Sequence, residues 1–139
     1  MVVTYDTEKS RDFVISLKNY LSLALKNRRV QTANVNLSQV EPIYRIEEYE
    51  KLMQNFQPHY ELILRVKKDK AREYSTLTKK GRMFESCDVE MTIKDRASGT
   101  IVGLGVLAFD NIYDTEKISV IREMTKKILA DFQDNLIIN

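Results

Sequence analysis

The chain has 139 residues, of which 43% are hydrophobic and 30% charged, with a net charge of +2. That is the length of one domain, 1–139, able to bury about two-thirds of its extended surface. The composition excludes a disordered tail, four Gly and two Pro exclude a low-complexity architecture, and the charge is too small to indicate nucleic-acid binding.

A single cysteine, Cys87, excludes an intrachain disulfide and a cysteine-built zinc site. No apolar run approaches the roughly 18 residues of a membrane span, and the first residues do not read as a signal peptide. A start on Met1-Val2-Val3, already inside a strand-like run, favours a chain trimmed at its beginning.

Taken in chain order, the first element is a short strand at Val2-Val3, followed by Tyr5-Asp6-Thr7-Glu8-Lys9. The same five residues recur as Tyr113-Asp114-Thr115-Glu116-Lys117. In both places Asp or Thr can cap the first free amides of a helix, and the Glu suits the positive end of its dipole. A helix over 8–28 follows, with Phe13, Leu17, Tyr20, Leu21, Ala24 and Leu25 at a 3.6-residue period.

Residues 30–37 alternate as a short strand. Pro42 opens a second helix over 43–56, with Ile46, Tyr49, Leu52, Met53 and Phe56 on one side, and Pro58 closes it. Two alternating strands come next, Tyr60–Val66 and Cys87–Lys94; the second has Val89, Met91 and Ile93 on its greasy face. Asp95-Arg96-Ala97-Ser98-Gly99 reads as a hairpin turn with Gly99 at positive φ.

Thr100–Phe109 is apolar on both faces, which predicts a strand inside the sheet. A last helix over 116–134 carries Ile118, Ile121, Met124, Ile128, Leu129 and Phe132. The order is β-α-β-α-β-β-β-α. Its simplest packing is a two-layer α/β sandwich: a mixed sheet ending in an antiparallel meander, with the helices on one face.

None of the reactive residues falls in a catalytic pattern. Gly103 and Gly105 lie within a strand, not between a strand and a helix, so they allow close approach of a neighbour and do not form a phosphate loop. His59 is the only histidine and reads as a surface residue at the mouth of a strand. Cys87 falls on an apolar strand face, where cysteine behaves as a small hydrophobe. Asp88 and Glu90 share a wet face and are expected to meet Arg65 and Lys67 of the neighbouring strand as cross-strand pairs.

The charge is most uneven between Arg65 and Arg82. Arg65, Lys67, Lys68, Lys70, Arg72, Lys79, Lys80 and Arg82 stand there against Asp69 and Glu73, an excess of six positive charges. These eight residues are the candidate partner-binding set, able to meet an acidic protein, phosphates or anionic lipid. Tyr74 is the one aromatic among them, which is sparse for base stacking.

Two stretches carry a family resemblance. They are Pro58-His59-Tyr60-Glu61-Leu62-Ile63-Leu64-Arg65-Val66 and the strand that runs through Asp95-Arg96-Ala97-Ser98-Gly99-Thr100-Ile101-Val102, with the closing amphipathic helix behind them. Over about residues 2–134 the chain resembles the small α/β domains of bacterial envelope lipoproteins. Among these are the curli-secretion lipoprotein, the lipoprotein activators of penicillin-binding proteins, and the amino-terminal domain of the periplasmic Tol propeller protein. It departs from their pattern at Gly103, where an aromatic residue often stands.

The resemblance implies a non-catalytic protein-binding domain, periplasmic or anchored to the outer membrane through a lipid outside this chain. It would need no cofactor and no metal, and its partner would be an envelope protein or further copies of itself. The alternative reading is a cytoplasmic nucleic-acid-associated or regulatory module that uses the basic arm 65–82.

Overall fold

The computed structural model describes residues 1–6, 11–73, 82–113, 117–135 and 137–138. Both copies of the Tyr-Asp-Thr-Glu-Lys sequence run into residues outside this set, so the two expected helix caps lie outside the described residues. The elements are β1 (Val2–Tyr5), α1 (Arg11–Asn27), β2 (Ala33–Asn36), a 3-10 turn (Leu37–Gln39), α2 (Arg45–Phe56), β3 (Tyr60–Glu73), β4 (Arg82–Asp95), β5 (Ile101–Tyr113) and α3 (Lys117–Asp134). The expected element order and mixed α/β sheet are both present.

The strands form one open sheet in the order β2-β1-β3-β4-β5. β1 runs parallel to both β2 and β3, and β3-β4-β5 is the antiparallel meander. The period of two sorts the side chains. Val3 and Tyr5 share a face with Leu62 and Leu64, and Leu62 stands opposite Ile93, Leu64 opposite Met91 and Val66 opposite Val89. This inner face joins Phe13, Leu17, Leu21 and Leu25 of α1 and Ile121, Ile128 and Phe132 of α3 in one core. Each such buried side chain contributes roughly 1.5–3 kcal/mol.

α1 and α3 therefore cover one face, as expected. α2 departs from that packing. Its Tyr49 hydroxyl donates to Glu61, whose side chain points away from Leu62 onto the outer face. Val2, Thr4 and Glu61 are buried on this second side of the sheet. One end of the outer face is thus covered as well, because β1, an interior strand paired on both edges, is buried on both faces.

Local chemistry sets the ends of the elements. At the end of α1, Val30 N–H donates to Leu25 C=O and Arg29 N–H to Lys26 C=O, a Schellman closure. Arg29 takes the left-handed position with φ 63°. α2 ends at Gln57, also left-handed with φ 46°, and Pro58 cannot continue the helix. α2 begins at Arg45 and not at residue 43, and Ile46, expected on its apolar side, is 70% exposed.

The hairpin turn forms as predicted. Ser98 N–H donates to the Asp95 carboxylate, which lies below its usual range chiefly because of that bond. Gly99 has φ 72°. The two strand glycines act as spacers: a Cβ at Gly103 would stand 2.8 Å from Ile93 Cδ1, and one at Gly105 would stand 3.7 Å from Met91 Cε.

Candidate functional site

β5 is where the structure overturns the sequence. An apolar run on both faces predicted an interior strand, but β5 is an edge. Its inward residues are Gly103, Gly105 and Leu107, and its outward ones are Val102, Leu104 and Val106. Leu104 is 70% and Val106 59% exposed, with Ile101 also exposed at the start of the strand. The thirteen-residue strand carries no charge from Ile101 to Phe109.

Free edges are ordinarily short, charged or covered, since their unpaired amides and carbonyls recruit other strands. The opposite edge, β2, obeys this with four residues. β5 does not. An uncharged, exposed, apolar edge is the usual mark of a contact surface. A groove of about 590 Å³ runs beside it, between Val106, Leu107 and Ala108 of β5 and Val120, Glu123 and Met124 of α3.

The neighbouring strand turns polar on the same face. Leu104 stands opposite Thr92, Val106 opposite Glu90 and Ala108 opposite Asp88. Lys67 Nζ lies 3.2 Å from Glu90, the cross-strand pair expected between β3 and β4. With Lys67 exposed and Glu90 half-buried, such a pair is worth a few tenths of a kcal/mol.

Of the eight basic residues in the candidate set, Arg65 and Lys67 are described, and both are exposed. The side chains of Lys68, Lys70, Arg72 and Arg82, and all of Lys79 and Lys80, lie outside the described residues, as does the side chain of Cys87. The backbone still locates the arm. β1 pairs β3 only from Glu61 to Leu64, while β3 pairs β4 to Glu73 and β4 pairs β5 to Tyr113. The sheet therefore continues past β1 as a three-stranded projection that carries residues 65–73 and Arg82 of the basic stretch.

A buried polar cluster at the other end of the outer face gave no sequence signal. Glu61 has 4% of its side chain exposed. One carboxylate oxygen accepts from Tyr49 Oη at 2.6 Å, the other accepts from Thr4 Oγ1 at 3.3 Å, and Arg96 Nη1 lies 3.8 Å away. Arg96 also donates to Tyr49 Oη at 3.1 Å. Burial and the Glu61 carboxylate push the Tyr49 phenol up to about 12. The cluster ties α2, β1, β3 and the β4–β5 turn together, and with every partner satisfied it is a structural clamp. His59 is exposed beside it, next to the turn. Among the described residues no three His, Cys, Asp or Glu side chains gather as a metal site, and no helix is long and apolar enough to cross a membrane.

The fold is similar to that of the PelC dodecamer from Paraburkholderia phytofirmans, with a TM-score of 0.58 at 12% identity over 92% of this chain and 84% of the PelC chain. It is also similar to lipoprotein GNA1162 from Neisseria meningitidis, with a TM-score of 0.53 at 10% identity over 96% of this chain and 98% of that one. At these identities the likeness is one of fold, and at that level the lipoprotein-like architecture is borne out. No protein-family model and no curated relative matches the sequence.

Proposed function

We propose that the chain is a non-catalytic protein-binding domain of a bacterial cell-envelope assembly, periplasmic or held at the outer membrane as a lipoprotein. The observation that carries this reading is the outer side of β5. Val102, Leu104 and Val106 form an uncharged strip on a free edge, where another strand can add with its own backbone hydrogen bonds. The fold shared with a lipoprotein and with a subunit of a dodecamer supports the setting and the manner of use.

In this reading the strip meets an envelope protein, a second copy of the chain among the partners. The basic projection, with Arg65, Lys67, Lys68, Lys70, Arg72 and Arg82 on its strands and Lys79 and Lys80 in the sequence between them, sets orientation against an acidic surface. Nucleic acid is the less favoured target, since Tyr74 is the one aromatic in the stretch and base stacking needs more.

Light scattering after size exclusion, over a range of concentrations, tests the reading. Wild-type chain is expected to associate, and Leu104→Asp with Val106→Asp to run as a monomer of unchanged melting temperature. A wild-type monomer at every concentration, together with submicromolar oligonucleotide binding at physiological salt, would replace this reading by the nucleic-acid one.

A further inference from the structure

A second surface, far from β5, has its own chemistry. The end of α1, the loop into β2 and the last residue of α2 enclose an open groove of about 630 Å³. Leu23, Val30 and Phe56 supply apolar wall, and Leu23 is 58% exposed there. Lys26 and Arg29 stand on the same lining, and none of the lining residues is acidic. Among the described residues neither cation has a carboxylate within ion-pair distance, nor any other polar partner.

The end of a helix explains one cation and not both. Lys26 lies in the last turn of α1, where a positive charge suits the negative end of the dipole. Two full charges exceed the roughly half charge found there. Arg29 also occupies the left-handed residue of the Schellman closure, the position at which glycine is the ordinary choice and an L side chain is strained. Glycine would suit that backbone position better than arginine does.

We infer that this groove docks an acidic peptide segment of a protein partner, with a bulky apolar side chain seated against Leu23, Val30 and Phe56 and carboxylates facing Lys26 and Arg29. A peptide fits better than a lipid because the groove lies beside a sheet edge: its Gln31 and Thr32 lead into β2, and the Ser22 hydroxyl on its lining donates to the Asn34 side chain. Ala33 N–H donates to Met1 C=O, so the alternation of β2 turns the amide and carbonyl of Asn34 outward, where peptide backbone can pair with them. The inference rests on the reading of the chain as a protein-binding domain and assigns that function a second surface.

The test is selection of a phage-displayed random peptide library on the full chain, followed by fluorescence anisotropy of the enriched peptides. Enriched peptides are expected to combine Asp or Glu with Leu, Ile or Phe. Lys26→Glu with Arg29→Glu is expected to weaken them by roughly tenfold or more. Arg29→Gly is expected to weaken them too while raising the melting temperature, a split that a purely structural role for Arg29 would not produce. Leu104→Asp with Val106→Asp, which removes the β5 contact, is expected to leave peptide affinity unchanged, so failure of either surface is seen separately.

Enrichment of basic or neutral peptides, no enrichment, or equal affinity for the doubly reversed variant would overturn the inference. So would co-sedimentation of the wild type, and not that variant, with phosphatidylglycerol vesicles when no acidic peptide is selected, which would make the groove a lipid site.

Discussion

The two faces of the sheet are built from the same strands and behave as different materials. On the inner face Val3, Leu62, Leu64, Val89, Met91 and Ile93 meet α1 and α3 in an apolar core. The outer face is divided. Over β1 and β3 it is closed by α2 and held by the Glu61 cluster, while over β5 it lies open with Leu104 and Val106 in solvent. The difference teaches that strand alternation chooses a side for each residue, and that the element covering that side decides whether the residue is core, clamp or contact surface.

The comparison breaks most visibly at Ile93. Ile93→Asp would bury an unpaired charge in the core beneath the helices and is expected to cost more than about 4 kcal/mol, enough to unfold the domain. Its neighbour on the polar side, Glu90→Lys, is expected to change stability by less than about 1 kcal/mol. Urea titration of both variants checks the pair, and equal midpoints would mean that β4 presents the opposite face to the helices.

The clamp comes next in size. Tyr49→Phe removes the 2.6 Å hydrogen bond to a buried carboxylate and is expected to cost about 1–3 kcal/mol. It carries a pH signature as well. The folded chain holds the Tyr49 proton up to about 12, whereas the unfolded chain releases it near the ordinary tyrosine value of 10. Between these values the folded state binds more protons, so the Tyr49 contribution is complete below pH 10 and declines as pH rises toward 12. Thermal melts across this window are expected to fall less steeply for Tyr49→Phe than for wild type. Parallel slopes would remove Tyr49 from the clamp.

A smaller effect sharpens the inner face. Gly103→Ala places a methyl within 2.8 Å of Ile93 Cδ1 and is expected to cost on the order of 1 kcal/mol. Because the atom in the way is the flexible end of a side chain, Ile93→Val should recover part of that cost. A double-mutant cycle measures the coupling, and strict additivity would show that the two residues do not meet.

The smallest stability effect is expected on the open part of the outer face. Leu104→Asp should stay within about 0.5 kcal/mol of wild type while abolishing association. A large loss of stability there would mean that β5 is covered within a single copy of the chain.

Much of this arrangement is legible in the residues. The 3.6-residue period placed Phe13, Leu17, Leu21 and Leu25 on one side of α1, and the period of two placed Val89, Met91 and Ile93 on one side of β4. The Asp95–Gly99 turn was legible because its chemistry is local: a carboxylate facing a backbone amide three residues on, and a glycine at positive φ.

Three features were not legible. Glu61 reads as the wet position of an alternating strand, yet it is buried, because its partners Thr4, Tyr49 and Arg96 lie 57 residues before it, 12 before it and across the next hairpin. Leu104 and Val106 read as interior, because hydrophobicity on both faces of a strand says that both will be covered without saying by what. The groove at Lys26 and Arg29 needed Phe56 to be brought up from the end of another helix.

The sequence by itself determined the order and type of the elements, the apolar faces of α1, α3 and β4, and the turn at Asp95–Gly99, since periodicity and turn chemistry act over a few residues, but not the full length of β3 and β4, which run to Glu73 and from Arg82. Only the tertiary structure decided strand order, with β5 left at the edge, and which charged residues found partners. Those depend on contacts between segments tens of residues apart, and burial belongs to the assembled fold rather than to any one segment.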